Sequence, residues 1–185
     1  MLNSTIKLTN QICGICEGIL ARSGPFQKET IYQDLLIDEL NKLNIINTRE
    51  MVFNYKFKDS ENKSMVICNN QFLRSDIELI EQRGILELKS SSASTKEEHI
   101  WQLRNYLEHR DDRDWGIVIN FISKFGAITA PKVQCDLLYK GETYHNLITN
   151  NVNHNVRQYH TFSIESEQYA DKNKIFIQTF VEDEM

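Results

Sequence analysis

Two short stretches carry residue types that could act together: Arg74-Ser75-Asp76 and, further along, Glu87-Leu88-Lys89. On a strand, residues two apart share a face. Arg74, Asp76 and Glu78 are therefore expected on one face, with Leu73, Ile77 and Leu79 behind them. On the next strand Glu87 and Lys89 share a face, backed by Leu86 and Leu88. If the connection runs from Glu81 to Gly84 and Ile80 pairs with Ile85, Asp76 faces Lys89. Glu87 then sits one diagonal step away, at roughly 7–8 Å, and any nearby even shift keeps the three together. Two carboxylates so placed can grip one divalent cation. Mg2+ and Mn2+ take oxygen ligands, which suits Asp76 and Glu87. Such an ion lowers the pKa of a bound water and stabilises negative charge on a phosphate. Lys89, a mobile point charge with three donors, can orient the water or stabilise charge developing on phosphorus. The same residues also fit two solvated strand faces joined by a salt bridge.

Two helices bear on that choice. Glu29 precedes Tyr32 by three residues and Leu36 by seven, so it lies on a buried stripe, where a carboxylate is costly unless paired or metal-bound. It equally fits a first-turn acid favoured by the helix dipole. Further on, His99, Gln102 and Tyr106 step by three and four along one helix face, beside Ile100, Leu103 and Leu107. These groups could reach a phosphate or the acidic residues, or form a partly buried polar rim.

The elements that must position these groups are read from periodicity. A leading helix over residues 1 to 23 carries Ile12, Ile15, Ile19 and Leu20, and Ser23-Gly24-Pro25 stops it. A second helix runs from Glu29 to Leu43 on the stripe Tyr32, Leu36, Leu40 and Leu43. Strands are expected over Val52 to Phe57, Phe72 to Ile80 and Ile85 to Lys89, with a turn or loop over Lys58 to Lys63. Thr95 to Glu98 reads as a capping box opening a helix to about His109. Gly116 to Phe121 reads as a buried strand. The order α-β-β-β-α-β predicts an α/β domain with a mixed sheet flanked by helices, its middle strands joined as hairpins. After Pro131 the character changes. Asn146 to His154 is Asn-rich and loop-like, and late strands are expected over Thr161 to Ile164 and Lys174 to Val181.

Composition narrows the function classes. The chain has 185 residues, 41% of them hydrophobic, enough for one core without staples. A net charge of −5 counts against coating nucleic acid through bulk electrostatics, although an enzyme can meet it through a local metal patch. Neither a secretory signal nor a membrane span is read in the sequence, so an intracellular protein, cytoplasmic or nuclear, is expected. Richness in Asn, Ile and Lys hints at an AT-rich genome, viral or microbial. Cys13-Gly-Ile-Cys16 has a metal-knuckle or redox spacing but no second close pair, and reads as buried thiols on a helix.

Taken in order, these pieces resemble the PD-(D/E)XK nuclease superfamily, and within it the small RecB-related GxxExxY family. The resemblance rests on Gly24-Pro25-Phe26-Gln27-Lys28-Glu29-Thr30-Ile31-Tyr32, the helix of Leu35 to Leu40, Tyr55-Lys56, Arg74-Ser75-Asp76, Leu86-Glu87-Leu88-Lys89, His99 to Leu107 and Gly116 to Phe121. It covers about residues 10 to 128. It implies a restriction-endonuclease-like core over residues 1–130, with residues 131–185 as a β-rich extension packed on the same domain. It implies a Mg2+- or Mn2+-dependent nuclease hydrolysing DNA, with Asp76 and Glu87 as metal ligands, Glu29 as an additional acidic ligand and Lys89 catalytic. Gln102 and Tyr106 match its Gln-x-x-x-Tyr element, which supports the active site and contacts DNA; Arg74 and His99 would join that contact. Phe26 stands where the family usually has a second glycine, Asn44 replaces another, and Ser60 to Gln71 lengthens the approach to Asp76. The cysteines do not follow the layout of RecB-like iron–sulfur relatives, so no cluster is expected. The alternative class is a catalytically silent nucleic-acid-binding or assembly module, with a second copy or a protein partner held through the C-terminal segment.

Overall fold

A computed structural model describes residues 2–58, 65–123, 131–146, 161–165 and 175–178. Its helices are α1 (Leu2–Ser23), α2 (Glu29–Lys42) and α3 (Glu97–Glu108). The described strands are β1 (Asn47–Lys58), β2 (Met65–Leu79), β3 (Gly84–Ser91), β4 (Trp115–Ile122), β5 (Lys132–Tyr139), β6 (Glu142–Asn146), β7 (Thr161–Glu165) and β8 (Ile175–Gln178). They form one mixed eight-stranded sheet in chain order. Only β3 and β4 run parallel among them, and α3 is the crossover that such a pair needs. This is the α/β, restriction-endonuclease-like architecture expected from the sequence. Among the described residues, no helix is long and apolar enough to cross a membrane.

Alternation along β3 sorts the two faces. Leu86 and Leu88 join Ile12, Ile19, Tyr32, Leu36 and Leu40 in the larger core under α1 and α2. Ile85 joins Leu73, Ile100, Leu103 and Tyr106 in a smaller core under α3. Glu87 and Lys89 thus share the α3 side. Cys13, Cys16 and Cys135 are buried as free thiols.

Several expectations need correction. The β2–β3 ladder pairs Ile77 with Leu86 and Leu79 with Gly84, two residues from the expected register. Ile80 is not paired with Ile85 but begins the turn, its N–H donating to the Ile46 carbonyl at 3.0 Å, and Arg83 closes the turn at φ +56° with its N–H donating to the Ile80 carbonyl at 3.4 Å. Nor do Arg74, Asp76 and Glu78 share a face. Leu73 packs under α3 while Ile77 and Leu79 pack under α1 and α2, so β2 changes faces around Asp76. The cause is local: the β1–β2 ladder skips Glu50 and Asp76, and Glu50 is left-handed at φ +49°.

The expected lengthening before Asp76 is largely hairpin. β2 begins at Met65 and pairs with β1 out to Lys58, while residues 59–64 lie outside the described residues. Helix α3 is capped by Lys96 rather than Thr95, with the Lys96 N–H donating to His99 Nδ1 at 3.3 Å. Leu43 ends α2 as an exposed cap instead of extending its buried stripe. Asn44 takes the left-handed position at φ +56°, as the residue replacing a glycine should. The expected Asn-rich loop, Asn146 to His154, lies outside the described residues apart from Asn146, which ends β6.

Candidate active site

The link between α1 and α2 places Glu29. Gly24 ends α1 at φ +75°, and its carbonyl accepts the Tyr32 hydroxyl at 3.0 Å. The Tyr32 ring stacks on Phe121 at 3.9 Å between centroids. Ser90 Oγ donates to the Gln27 carbonyl at 2.8 Å, and Ser123 Oγ accepts the Phe26 N–H at 3.3 Å. The link is thereby fastened to the ends of β3 and β4, and Glu29 opens α2 beside Lys89. The Gly24…Tyr32 spacing is thus a structural clamp around the residue it carries.

Asp76 sits where β2 and β3 part. Its Oδ2 accepts the Leu88 N–H at 2.7 Å, and its carbonyl accepts Gln33 Nε2 at 2.8 Å. Glu87 is 1% exposed, and its Oε1 takes Lys89 Nζ at 2.5 Å. Among the described residues, Glu87 Oε2 is buried with no hydrogen-bond partner. A buried carboxylate oxygen left unpaired carries a desolvation penalty that a ligand would relieve.

The charges act on one another across this pocket. Glu87 is pushed up to about 8 by burial, then by Asp76 and Glu29, against the opposing pull of Lys89. Burial also raises Asp76, with Glu50 adding to it; the Leu88 N–H, Lys89 and Arg74 oppose. Glu29 is raised by burial and by Asp76, while Lys89 and the Ser90 backbone N–H pull it down. Burial would lower Lys89, but the charge and hydrogen bond of Glu87, with Glu29 and Asp76, hold it above its ordinary value. Three carboxyls raised around one lysine describe a site with more acid than its own cation neutralises. Among the described residues, no three of His, Cys, Asp and Glu are close enough to form a complete ligand group.

From α3, Gln102 Nε2 donates to the Tyr106 hydroxyl at 2.6 Å. Burial, then the charge of Glu87, raises Tyr106 well beyond its ordinary value, so it keeps its proton. His99 is lowered by burial and by Lys89, and is neutral at neutral pH. Arg74 lies at the mouth, largely exposed, with Glu50 at 3.8 Å. The structure therefore draws Asp76, Glu87, Lys89 and Glu29 into one electrostatic cluster, with Tyr106 and Gln102 above it. Arg74 and His99 stand at its edge.

The sequence model of the PD-(D/E)XK nuclease superfamily matches residues 6–131, more than half of the chain. The chain belongs to the PD-(D/E)XK nuclease superfamily. No curated protein and no solved structure gave a match. Superfamily members are generally nucleases that use divalent metals, and nucleic acid is their substrate class. The match ends at residue 131, before β5 begins.

Gln33 was missed in the sequence reading, although it is 3% exposed and holds the Asp76 backbone. Its signal was available: it lies one turn after Glu29, a polar residue on an apolar stripe.

Proposed function

We propose that the protein is a divalent-metal-dependent nuclease, hydrolysing phosphodiester bonds of DNA with water. Asp76 and Glu87 would hold the ion, with Glu29 completing the acidic set from α2. The observation that carries this reading is the buried, unpartnered Oε2 of Glu87, set among Asp76, Glu29 and Lys89. The bound ion, Mg2+ or Mn2+, would polarise water and offset charge on the phosphate. Lys89, shared with Glu87 Oε1, can turn toward a scissile phosphate and stabilise the negative charge that develops there. Tyr106 and Gln102 present hydrogen-bond donors over the same cluster. Arg74 and His99 would steer the strand at the rim, Arg74 by charge and His99 by neutral hydrogen bonds.

The Glu29 and Tyr32 spacing supports placement in the GxxExxY family, although its glycine position, three residues before Glu29, is Phe26 here. Residues 131–185 are read as an extension packed on the same domain, because β5 pairs along β4 and Val133, Cys135 and Leu137 complete the larger core. Three buried free thiols suit a reducing, intracellular compartment.

The test is a cleavage assay on labelled linear, circular and single-stranded DNA with Mg2+, Mn2+ or EDTA, beside Lys89→Ala. Cleavage that needs metal and vanishes in the variant is expected. Intact DNA under every condition, from a folded protein, overturns the proposal and leaves a binding module.

A further inference from the structure

A groove of about 710 Å3 opens between the β1–β2 hairpin and α3. Gln102 and Tyr106 line it, and Tyr106 feels the charges of Glu87 and Asp76, so the groove borders the candidate active site. Two large aromatic residues from different elements also line it: Phe72 of β2, 61% exposed, and Trp101 of α3, 53% exposed. Single exposed apolar side chains are ordinary on a protein surface. Two exposed rings lining one groove beside the candidate catalytic cluster offer flat apolar faces to a ligand.

The Trp101 indole is already ordered without a ligand. Its Nε1–H donates to Glu97 Oε1 at 3.3 Å, and the Arg104 guanidinium stands 4.7 Å from the ring centroid. A ring held in advance loses little freedom on binding. Arg74, 66% exposed, is the cation of this wall. Glu98 and Glu108 line the groove as well, and Lys96 holds Glu98 at 3.1 Å. The groove therefore offers ring faces and little net positive charge.

We propose that this groove binds single-stranded nucleic acid by stacking unpaired bases on Trp101 and Phe72, delivering the strand to the adjacent carboxylates. The inference rests on the nuclease reading and names its substrate class. A base within a duplex shows a protein only its edges, and its face becomes available after it leaves the stack. Stacking on aromatic side chains contributes about 1–3 kcal/mol per base and tolerates any sequence. That contribution does not draw on the chain's net charge, which is −5.

The test measures binding of fluorescent oligo-dT, oligo-rU and a blunt duplex to the full chain in EDTA, where cleavage cannot intervene. Single strands are expected to bind more tightly than the duplex, and the comparison of dT with rU separates DNA from RNA. Trp101→Ala and Phe72→Ala should each weaken single-strand binding by roughly five- to hundredfold, the range for loss of one stacked base. Trp101→Phe should recover most of the loss. The logarithmic salt slope should be shallow, about −1 to −2, reflecting one to three phosphate contacts. The indole should also be quenched by oligo-dT in the wild type, with the quench lost in Trp101→Phe, since the other tryptophan, Trp115, is buried. Equal or tighter duplex binding, or alanine variants that bind like the wild type, overturns the proposal. Stacking without cleavage in Mg2+ would sink the nuclease reading alone, and metal-dependent cleavage without aromatic dependence would sink this one alone.

Discussion

The Asp76 carboxylate accepts the backbone N–H of Leu88 at 2.7 Å, across the point where β2 and β3 separate. The backbone ladder stops at Ile77 and Leu86, and the side chain supplies the next bond. Leu88 stands between Glu87 and Lys89, so this one bond ties the three candidate catalytic residues together. Asp76 must therefore serve two roles: acceptor for the strand and donor of charge to the site.

Substitution can separate those roles. Asp76→Asn keeps an oxygen that can accept the Leu88 N–H but removes the charge. Asp76→Ala removes both and leaves a part-buried N–H unpaired, costing about 1–3 kcal/mol. Both variants should lose metal-dependent cleavage, while only the alanine variant should melt markedly earlier. Equal melting temperatures for the two would show that the bond carries no structural load.

A dependence of stability on pH follows from Glu87. Its folded-state pKa is raised to about 8 from an ordinary 4.5, chiefly by burial and then by Asp76. Between those values the folded state holds a proton that the unfolded state has released, so stability falls as pH rises through that window. Asp76 and Glu29, also raised, act in the same direction. In EDTA the urea midpoint should decline from about pH 5 to pH 8, and Glu87→Gln should flatten much of the decline. A divalent ion should restore the wild type most strongly at high pH, where it displaces fewer protons. An unchanged slope in Glu87→Gln would remove Glu87 as the source.

Phe26 carries a strain that its family-typical residue would not. It adopts φ +65°, and its ring is about half exposed. That conformation costs a residue with a Cβ roughly 1–2 kcal/mol, part of which glycine returns through its greater freedom when unfolded. Phe26→Gly should stabilise the chain by about 0.5–1 kcal/mol, raising the melting temperature by roughly 1–4 °C. Phe26→Ala, which keeps the Cβ, should show no such gain. A rise in the alanine variant equal to that in glycine would locate the effect in the ring instead.

Alternation alone put Glu87 and Lys89 on one face of β3, and helical spacing put Gln102 and Tyr106 together on α3. These signals are local, and the structure keeps them. The change of face in β2 was not legible because it falls where the ladder skips Glu50, a left-handed residue on the neighbouring strand. Ile80 looked like a strand residue by its type, yet it is 36% exposed in the turn. Strand β5 escaped notice for a different reason. Val133-Gln134-Cys135-Asp136-Leu137 alternates as a half-buried strand would, yet Gln134 and Asp136 are buried too, with Gln134 Nε2 donating to Asp136 Oδ2 at 3.1 Å. Partner choice, invisible along a sequence, decided their burial.

Glu78 and Glu87 are both fully buried acids on neighbouring strands, and their hydrogen bonds predict opposite behaviour. Glu78 is satisfied on every side: Ser75 Oγ at 2.9 Å, Arg110 Nη1 at 2.7 Å and Arg113 Nη2 at 2.7 Å. Removing one partner of such a buried pair strands the others, at roughly 3–5 kcal/mol. Glu87 has an oxygen with no partner among the described residues, so neutralising it relieves a penalty. Glu78→Gln should therefore lower the unfolding free energy by about 3 kcal/mol while each folded molecule still cleaves. Glu87→Gln should match or exceed wild-type stability at pH 8 in EDTA yet cleave nothing. Denaturant titrations beside single-turnover cleavage would check both. A destabilised Glu87→Gln, or a folded but inactive Glu78→Gln, would mean the two acids have been assigned the wrong way round.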